Sequence, residues 1–315
     1  MKSLFDMQKV FHEKIYGEIE SLKTPEKEAI TMTLLLALHQ KASALAETIH
    51  YKDHYYRPSD PDVNNLAYES VDVVRYAIAI MNTWGISQER FLEAYCEKNA
   101  YLELTQTLEK RKWNGQPVII VDMDDVVVEF RNNFAKWLKI MFDVEADVES
   151  TEYYFIDALR KTGLNPESVF IDFLNSGGFK QLTAIDGMWD QLNTLRNNGY
   201  WVHILTARPE ENLRCKYDTY SWINDACLPI DRISFSTEKF RWCAHSQYYD
   251  SDSIVCAIDD SPKHATEYAK HGLPCLVPVM PYNQNIAIKE NIFYYKKPGE
   301  IVDLIENLVE SKYNT

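Results

Sequence analysis

The sequence predicts an α/β protein with a doubly wound parallel sheet, preceded by an all-helical segment, and three observations predict it. From residue 1 to about 112 apolar residues recur at steps of three and four, as in Leu34, Leu38, Leu45 and Ile49 or Val71, Val74, Ile78 and Met81, the stripe of an amphipathic helix. After the basic, polar stretch 110–117 the texture changes to short β-branched runs at 118–121, 201–205 and 254–258, separated by helical segments. That alternation is the pattern of parallel strands with crossover helices. Finally, polar groups of defined chemistry stand at the ends of these apolar runs.

The helical segment is punctuated at Thr24-Pro25, where Thr24 is expected to cap a helix with Pro25 at its first position, at Arg57-Pro58-Ser59-Asp60-Pro61, and at Gly85. The change of texture places a domain boundary near 113–117, giving an all-α domain over 1–112 and an α/β domain over 113–315. A length of 315 residues accommodates about two domains.

Hydrophobic residues at 46% and charged ones at 25% match globular averages and exclude a disordered chain. The 47 acidic residues against 33 Lys and Arg leave a formal charge of −14, the wrong sign for wrapping a long nucleic acid. A small anion therefore needs a local cationic site or a metal. The opening MKSLFDMQKVFHEKIYG lacks the apolar core of a signal peptide, and the unbroken apolar runs, such as LLLAL, are far too short to span a membrane, so a cytoplasmic protein without membrane contact is expected. Six cysteines without a CxxC pair point to reduced thiols and away from a sulfur-ligated metal.

The densest chemistry begins at VIIVDMDDVVV, an apolar strand ending in Asp122 with Asp124 two residues on. Asp is depleted in strand interiors, and open α/β sheets bind ligands at the carboxyl ends of their strands. Three more strand ends follow in order: HILTAR presents Thr206, FSTEK presents Lys239, and VCAIDDS presents Asp259 and Asp260. A parallel sheet brings all of these to one edge. Carboxylates so crowded call for a cation, and hard oxygen ligands select Mg²⁺. A carboxylate nucleophile, a second carboxyl that exchanges a proton, a hydroxyl, a lysine and Mg²⁺ are the parts needed to attack a phosphoryl group.

This order of motifs resembles the haloacid dehalogenase-like (HAD-like) phosphatase superfamily over about residues 117–285. Within it the chain is similar to the 5′(3′)-deoxyribonucleotidases, on DMDDVVVEF, GGFKQLTAIDGMWDQL, KYDTYSWI and IDDSP. The resemblance implies that Asp122 forms an aspartyl-phosphate, and that Asp124 protonates the leaving group and then activates water. Thr206, with Ala207 beside it, and Lys239 are implied to hold the phosphate. Asp122, the backbone carbonyl of Asp124, Asp259 and Asp260 are implied to hold Mg²⁺. The chain departs from the family at Asp125, where the family has Gly, and at Thr237, where it has Arg. An aromatic-rich insertion at about 130–182 resembles the small helical cap of these enzymes, and Tyr154 and Phe155 are expected to stack a base.

The helical segment resembles the all-α nucleoside-triphosphate pyrophosphatases of the MazG and dimeric dUTPase type, on LLLALHQKASALAETIHYKDHYY, ESVDVVRYAI and AYCEKN. That family holds Mg²⁺ with two carboxylate pairs, each pair one helical turn apart. Glu69 and Asp72 keep the second pair, whereas Lys41 and Ala44 replace the first. The resemblance therefore implies a vestigial metal site and a homodimer formed through these helices. His203 and the indoles of Trp201, Trp222 and Trp242 read as core, His264 and His271 as surface.

The expected function is Mg²⁺-dependent hydrolysis of (deoxy)ribonucleoside 5′-monophosphates. Three alternatives stay open: a nucleoside-triphosphate pyrophosphatase acting through the first domain, a polynucleotide-end phosphatase, and a non-catalytic nucleotide-binding dimer.

Overall fold

The computed structural model describes residues 3–49, 62–152, 155–288 and 290–313. The chain divides into two compact units between Cys96 and Glu97, inside a helix and earlier than the expected 112/113 boundary. The reason is a stripe, Tyr101, Leu104 and Leu108, that packs on the core of the second unit.

The first unit holds α1 (Leu4–Tyr16), α2 (Thr24–Glu47), α3 (Val63–Thr83) and the start of α4 (Gln88–Lys110). Ser3 caps α1 in a reciprocal pair with Asp6. At α2 the cap differs from expectation: Lys23 occupies it, Thr24 is already helical, and the Glu26 carboxylate accepts the Lys23 N–H at 2.8 Å. With that donor satisfied from one turn inside the helix, a Thr24 cap is dispensable. Asp62 caps α3, which stops at Gly85 in the left-handed region (φ 70°). The break expected at 57–61 lies outside the described residues.

By length and composition α2 is apolar enough to cross a membrane, a property that counting only unbroken apolar runs misses. Its second half nevertheless carries Lys41, whose ammonium lies 2.8 Å from Asp72 and 3.5 Å from Glu69. The two carboxylates of the expected vestigial metal site thus already face a cation supplied by the chain.

The second unit is built on a six-stranded sheet: β1 (Val118–Val121), β2 (Trp201–Thr206), β3 (Arg232–Phe235), β4 (Ile254–Ile258), β5 (Cys275–Pro278) and β6 (Ile292–Tyr295). All neighbours are parallel, in the order β3-β2-β1-β4-β5-β6. In β1 every residue is buried and successive side chains divide between two cores. Ile119 and Val121 join the core containing Leu192, Ile223 and Ile301, and Val118 and Ile120 join the one containing Cys243, Ala265 and Tyr268. Those residues come from α8 (Met188–Asn197), α9 (Leu213–Asp225) and α12 (Ile301–Tyr313) on one face, and from α10 (Lys239–Ala244) and α11 (Pro262–Lys270) on the other.

Between β1 and α8 the chain leaves at Glu129 and returns at Thr183. The Glu129 N–H donates to the Thr183 carbonyl at 2.9 Å and the Ile185 N–H to the Val127 carbonyl at 2.9 Å, closing the neck of the insertion. The excursion contains α5 (Phe130–Phe142), α6 (Ile156–Lys161), α7 (Pro166–Asn175) and a 3-10 turn at Gly178–Gln181. Its interior is aromatic: the Phe130 ring stacks on Phe134 and Phe179 at 5.4 and 5.8 Å, and Phe173 meets all three edge-on. Gly178 is required there, because a β-carbon would stand 2.3 Å from the Phe173 ring.

Candidate active site

With β1 followed by β2 on one side and β4 on the other, the strand order reverses next to β1, and the crevice lies at the carboxyl ends of β1 and β4. Asp122 follows β1 directly, its N–H continuing the ladder to the Ile258 carbonyl at 2.8 Å, and Asp259 and Asp260 follow β4. Oxygen atoms of Asp122, Asp259 and Asp260, all buried, lie within 4.8 Å of one another. Lys239, at the first turn of α10, is fully buried with its ammonium 2.6 Å from Asp122 and 2.8 Å from Asp259.

Lys239 pairs with two of these three buried carboxylates, and burial and mutual repulsion oppose their ionisation. Burial, opposed by Lys239 and reinforced by Asp259, pushes the Asp122 carboxyl up to about 6. Burial also raises Asp259 against the pull of Lys239, and raises Asp260 with help from Asp122 and Asp125. Burial by itself favours a neutral Lys239, but Asp122 and Asp259 outweigh it and keep the ammonium charged. A hard, oxygen-preferring divalent cation fits this donor set.

Asp124 lines the same cavity, yet its carboxylate stands outside the acidic triad because Arg208 holds it. The guanidinium donates from Nε at 2.9 Å and from Nη2 at 2.6 Å to the two Asp124 oxygens, and from Nη1 to the Thr219 hydroxyl at 2.9 Å. It also lies over the Phe179 ring at 4.2 Å. Arg208 closes the HILTAR run, but an arginine two residues beyond a strand carries no local sign of its partner in the sequence.

Asp125 sits at φ 53°, the left-handed conformation that suits Gly and that Asp tolerates. Its carboxylate accepts the Arg131 N–H at 2.9 Å, and burial pushes it up to about 7. Arg131 in turn donates to the carbonyls of Val148, Ser150 and Glu152, binding the 147–152 loop to α5. Tyr282 donates to Asp260 at 2.6 Å and Asn283 to the Asp260 carbonyl at 3.0 Å. None of Arg131, Tyr282 and Asn283 carried a recognisable signal in the sequence.

A cavity of about 810 Å³ opens above these groups, lined by Asp122, Asp124, Ala207, Arg208, Thr237 and Lys239 on one side. The other side is formed by Phe130, Phe134, Ile156, Leu159, Phe170 and Phe179 of the insertion. Thr206 is fully buried at the end of β2, its hydroxyl accepting the Arg208 N–H at 3.3 Å, and does not line the cavity. Phe155 corrects the stacking expectation: it is buried, its ring covered by the Arg131 guanidinium at 4.4 Å and packed against Phe134. Phe130, Phe134, Phe170 and Phe179 line the cavity; Phe130, Phe134 and Phe179 are themselves buried and stacked on one another, and Phe170 is half-buried. Tyr154 lies outside the described residues.

His203 is the expected core histidine, bridged between Ser234 and Tyr249 at 3.0 Å each. His271 is exposed, stacked on Phe240, but His264 is buried and lines the cavity. The α11 face that carries it packs inward with Ala265 and Tyr268, which a flanking-position reading could not register.

No family model matches the chain, and no curated protein matches it. Solved structures do. A HAD-superfamily hydrolase from Ehrlichia chaffeensis is 19% identical with a TM-score of 0.37, covering 62% of this chain and 98% of its own. A predicted phosphatase from Clostridium acetobutylicum is 14% identical with a TM-score of 0.43, covering 62% of this chain and 99% of its own. A HAD-hydrolase from Bacillus subtilis bound to magnesium is 14% identical with a TM-score of 0.43, covering 62% of this chain and 100% of its own.

Proposed function

We propose that the protein is a Mg²⁺-dependent phosphomonoester hydrolase acting on nucleoside 5′-monophosphates through an aspartyl-phosphate on Asp122. The observation that carries this reading is the meeting of Asp122, Lys239, Asp259 and Asp260 at the β1–β4 switch point, with Asp124 lining the same cavity. An Asp122 oxygen forms a bond to phosphorus as the bond to the ester oxygen breaks, and Asp124 gives its proton to that oxygen. In the second half Asp124 takes a proton from the attacking water, and the acyl-phosphate bond breaks to release phosphate and the Asp122 carboxylate. Lys239 holds Asp122 in position and offsets charge on the transferring group. Asp122, Asp259 and Asp260 would hold Mg²⁺, which when bound neutralises phosphoryl oxygens as a Lewis acid. Because Thr206 is buried while Ala207 and Arg208 line the cavity, we take these two to be the phosphate-facing residues of the loop.

The cavity has room for a nucleoside, and its apolar wall suits a planar base. The first unit serves association: Met32, Leu36, Val63 and Tyr68 are 60, 67, 74 and 76% exposed, an apolar surface suited to a second copy of the chain. The Lys41 ion pairs weigh against a pyrophosphatase site there. A phosphate-release screen over nucleoside monophosphates, with Mg²⁺ and with chelator, tests the reading. Asp122→Asn is expected to lose several orders of magnitude of turnover while remaining folded, and near-normal turnover by the folded variant overturns it.

A further inference from the structure

The amino end of α11 opens onto the cavity, which Ser261, Pro262, Lys263 and His264 all line. Ser261 occupies the cap position of this nine-residue helix, yet its hydroxyl caps nothing and has no hydrogen-bond partner among the described residues. The residue is 8% exposed, and its oxygen keeps open surface where the His264 Nδ1 is sealed off. Pro262 has no N–H, and those of Lys263 and His264 stand in the first turn, where a helix offers no acceptor of its own. Buried polar groups are ordinarily satisfied, so a hydroxyl left open in a cavity wall beside uncapped N–H groups is completed by what enters that cavity.

The chemistry of the missing partner follows from its surroundings. A hydroxyl and free N–H groups at the positive end of a helix select an anion. Two of the cations in the cavity lining are already engaged: Lys239 with Asp122 and Asp259, and Arg208 with Asp124. Lys263 lines the cavity, is exposed, and makes no ion pair among the described residues. Asp122, Asp124 and Glu167 in the same lining repel an anion and turn it toward α11. The competing hydroxyls are less suited, because Thr206 is fully buried away from the cavity and Thr237 is exposed, where water satisfies it. The Ser261 N–H donates to the Asp259 carboxylate at 3.0 Å, so its hydroxyl stands beside the carboxylates where the phosphoryl group reacts.

We propose that the amino end of α11 is an anion subsite in which the Ser261 hydroxyl, the Lys263 N–H and the Lys263 ammonium hold non-bridging oxygens of the phosphoryl group. Ser261 thereby supplies the hydroxyl that the burial of Thr206 withholds. The inference rests on the phosphomonoesterase reading of this site and adds residues that hold the phosphate.

The test measures binding of inorganic phosphate by calorimetry in the full-length wild type, Ser261→Ala, Ser261→Thr and Lys263→Gln, with Mg²⁺ affinity measured separately in phosphate-free buffer. Ser261→Ala is expected to weaken phosphate about tenfold, the scale of one hydrogen bond to a charged group, and Ser261→Thr to recover part of the loss. Lys263→Gln, on an exposed side chain that the fold does not need, weakens it about threefold, and added KCl shrinks that difference. KM for p-nitrophenyl phosphate rises in parallel, and Mg²⁺ affinity stays at the wild-type value in every variant. Wild-type phosphate affinity in both Ser261→Ala and Lys263→Gln overturns the proposal. An equal weakening of Mg²⁺ and phosphate in Ser261→Ala also overturns it, since that would mark Ser261 as a support for Asp259. A wild type that neither binds phosphate nor hydrolyses p-nitrophenyl phosphate refutes the phosphomonoesterase reading and this proposal together. A wild type that hydrolyses the ester, with variants that bind phosphate as it does, refutes this proposal alone.

Discussion

Cutting the Arg208–Asp124 pair from either side separates the position of the proton-carrying carboxylate from its charge. The Arg208 side chain is 1% exposed and that of Asp124 is 22% exposed, so the two single substitutions are not equivalent. Asp124→Asn leaves a desolvated guanidinium without its carboxylate, a loss of about 3–5 kcal/mol of stability. Arg208→Gln leaves a carboxylate that still reaches the cavity, a loss of about 1–3 kcal/mol. With both replaced, neither charge is stranded, and the double variant is expected to be more stable than the sum of the singles predicts by about 2 kcal/mol. Urea unfolding of the three variants and the wild type, followed by tryptophan fluorescence in metal-free buffer, measures the coupling.

Activity supplies the second half of this test. If Arg208 positions Asp124, Arg208→Gln lowers kcat by about 10²-fold, the low end of what a misplaced acid–base group costs. Arg208→Lys restores a charge but not a fork that spans two oxygens, so it recovers stability better than it recovers kcat. A coupling below about 0.5 kcal/mol, or full activity in Arg208→Lys, refutes the reasoning.

Three further outcomes are expected. His264 has a folded-state pKa below its unfolded value, so the unfolded chain binds the extra proton and stability falls as pH drops from about 6.5 toward 4; between pH 7.5 and 5 the wild type should lose about 2 kcal/mol more than His264→Gln, and identical pH profiles would contradict the burial argument. Lys41→Glu combined with Ala44→Glu replaces the internal cation with carboxylates around Glu69 and Asp72, so calorimetry should count one more Mg²⁺ per chain than in the wild type, and unchanged stoichiometry would show that the helices have lost the site geometry as well. Mononucleotides should exceed 5′-phosphorylated oligonucleotides of the same terminal base in kcat/KM, because the cap and the charge of −14 both oppose a long phosphate backbone; the reverse order would move the reading to a polynucleotide-end phosphatase.

Much of the α/β unit was legible in the sequence because its signals are local. A four-residue β-branched run needs burial on both faces, and an Asp at its end can only be a terminus, so β1 and Asp122 could be placed together. The same logic located β2, β4, Lys239 and the Asp259–Asp260 pair, and parallel connectivity was enough to infer that they share an edge. The strands at 275–278 and 292–295 were not singled out, since apolar runs this short lack a distinguishing period.

By itself the sequence determined which side chains stand at the strand ends, because alternation and apolar runs act over a few neighbouring residues. Only the tertiary structure decided what those side chains touch. Arg208 meets Asp124 across 84 positions, Tyr282 meets Asp260 across 22, and Lys41 meets Asp72 from a different helix. Phe155 and His264 are the clearest cases: one was expected to be available to a ligand and is buried under Arg131, the other was expected at the surface and is buried in the cavity wall. Their fates depend on which helix face turns inward and what packs against it, and that is fixed by the volume and charge of partners contributed from elsewhere in the chain.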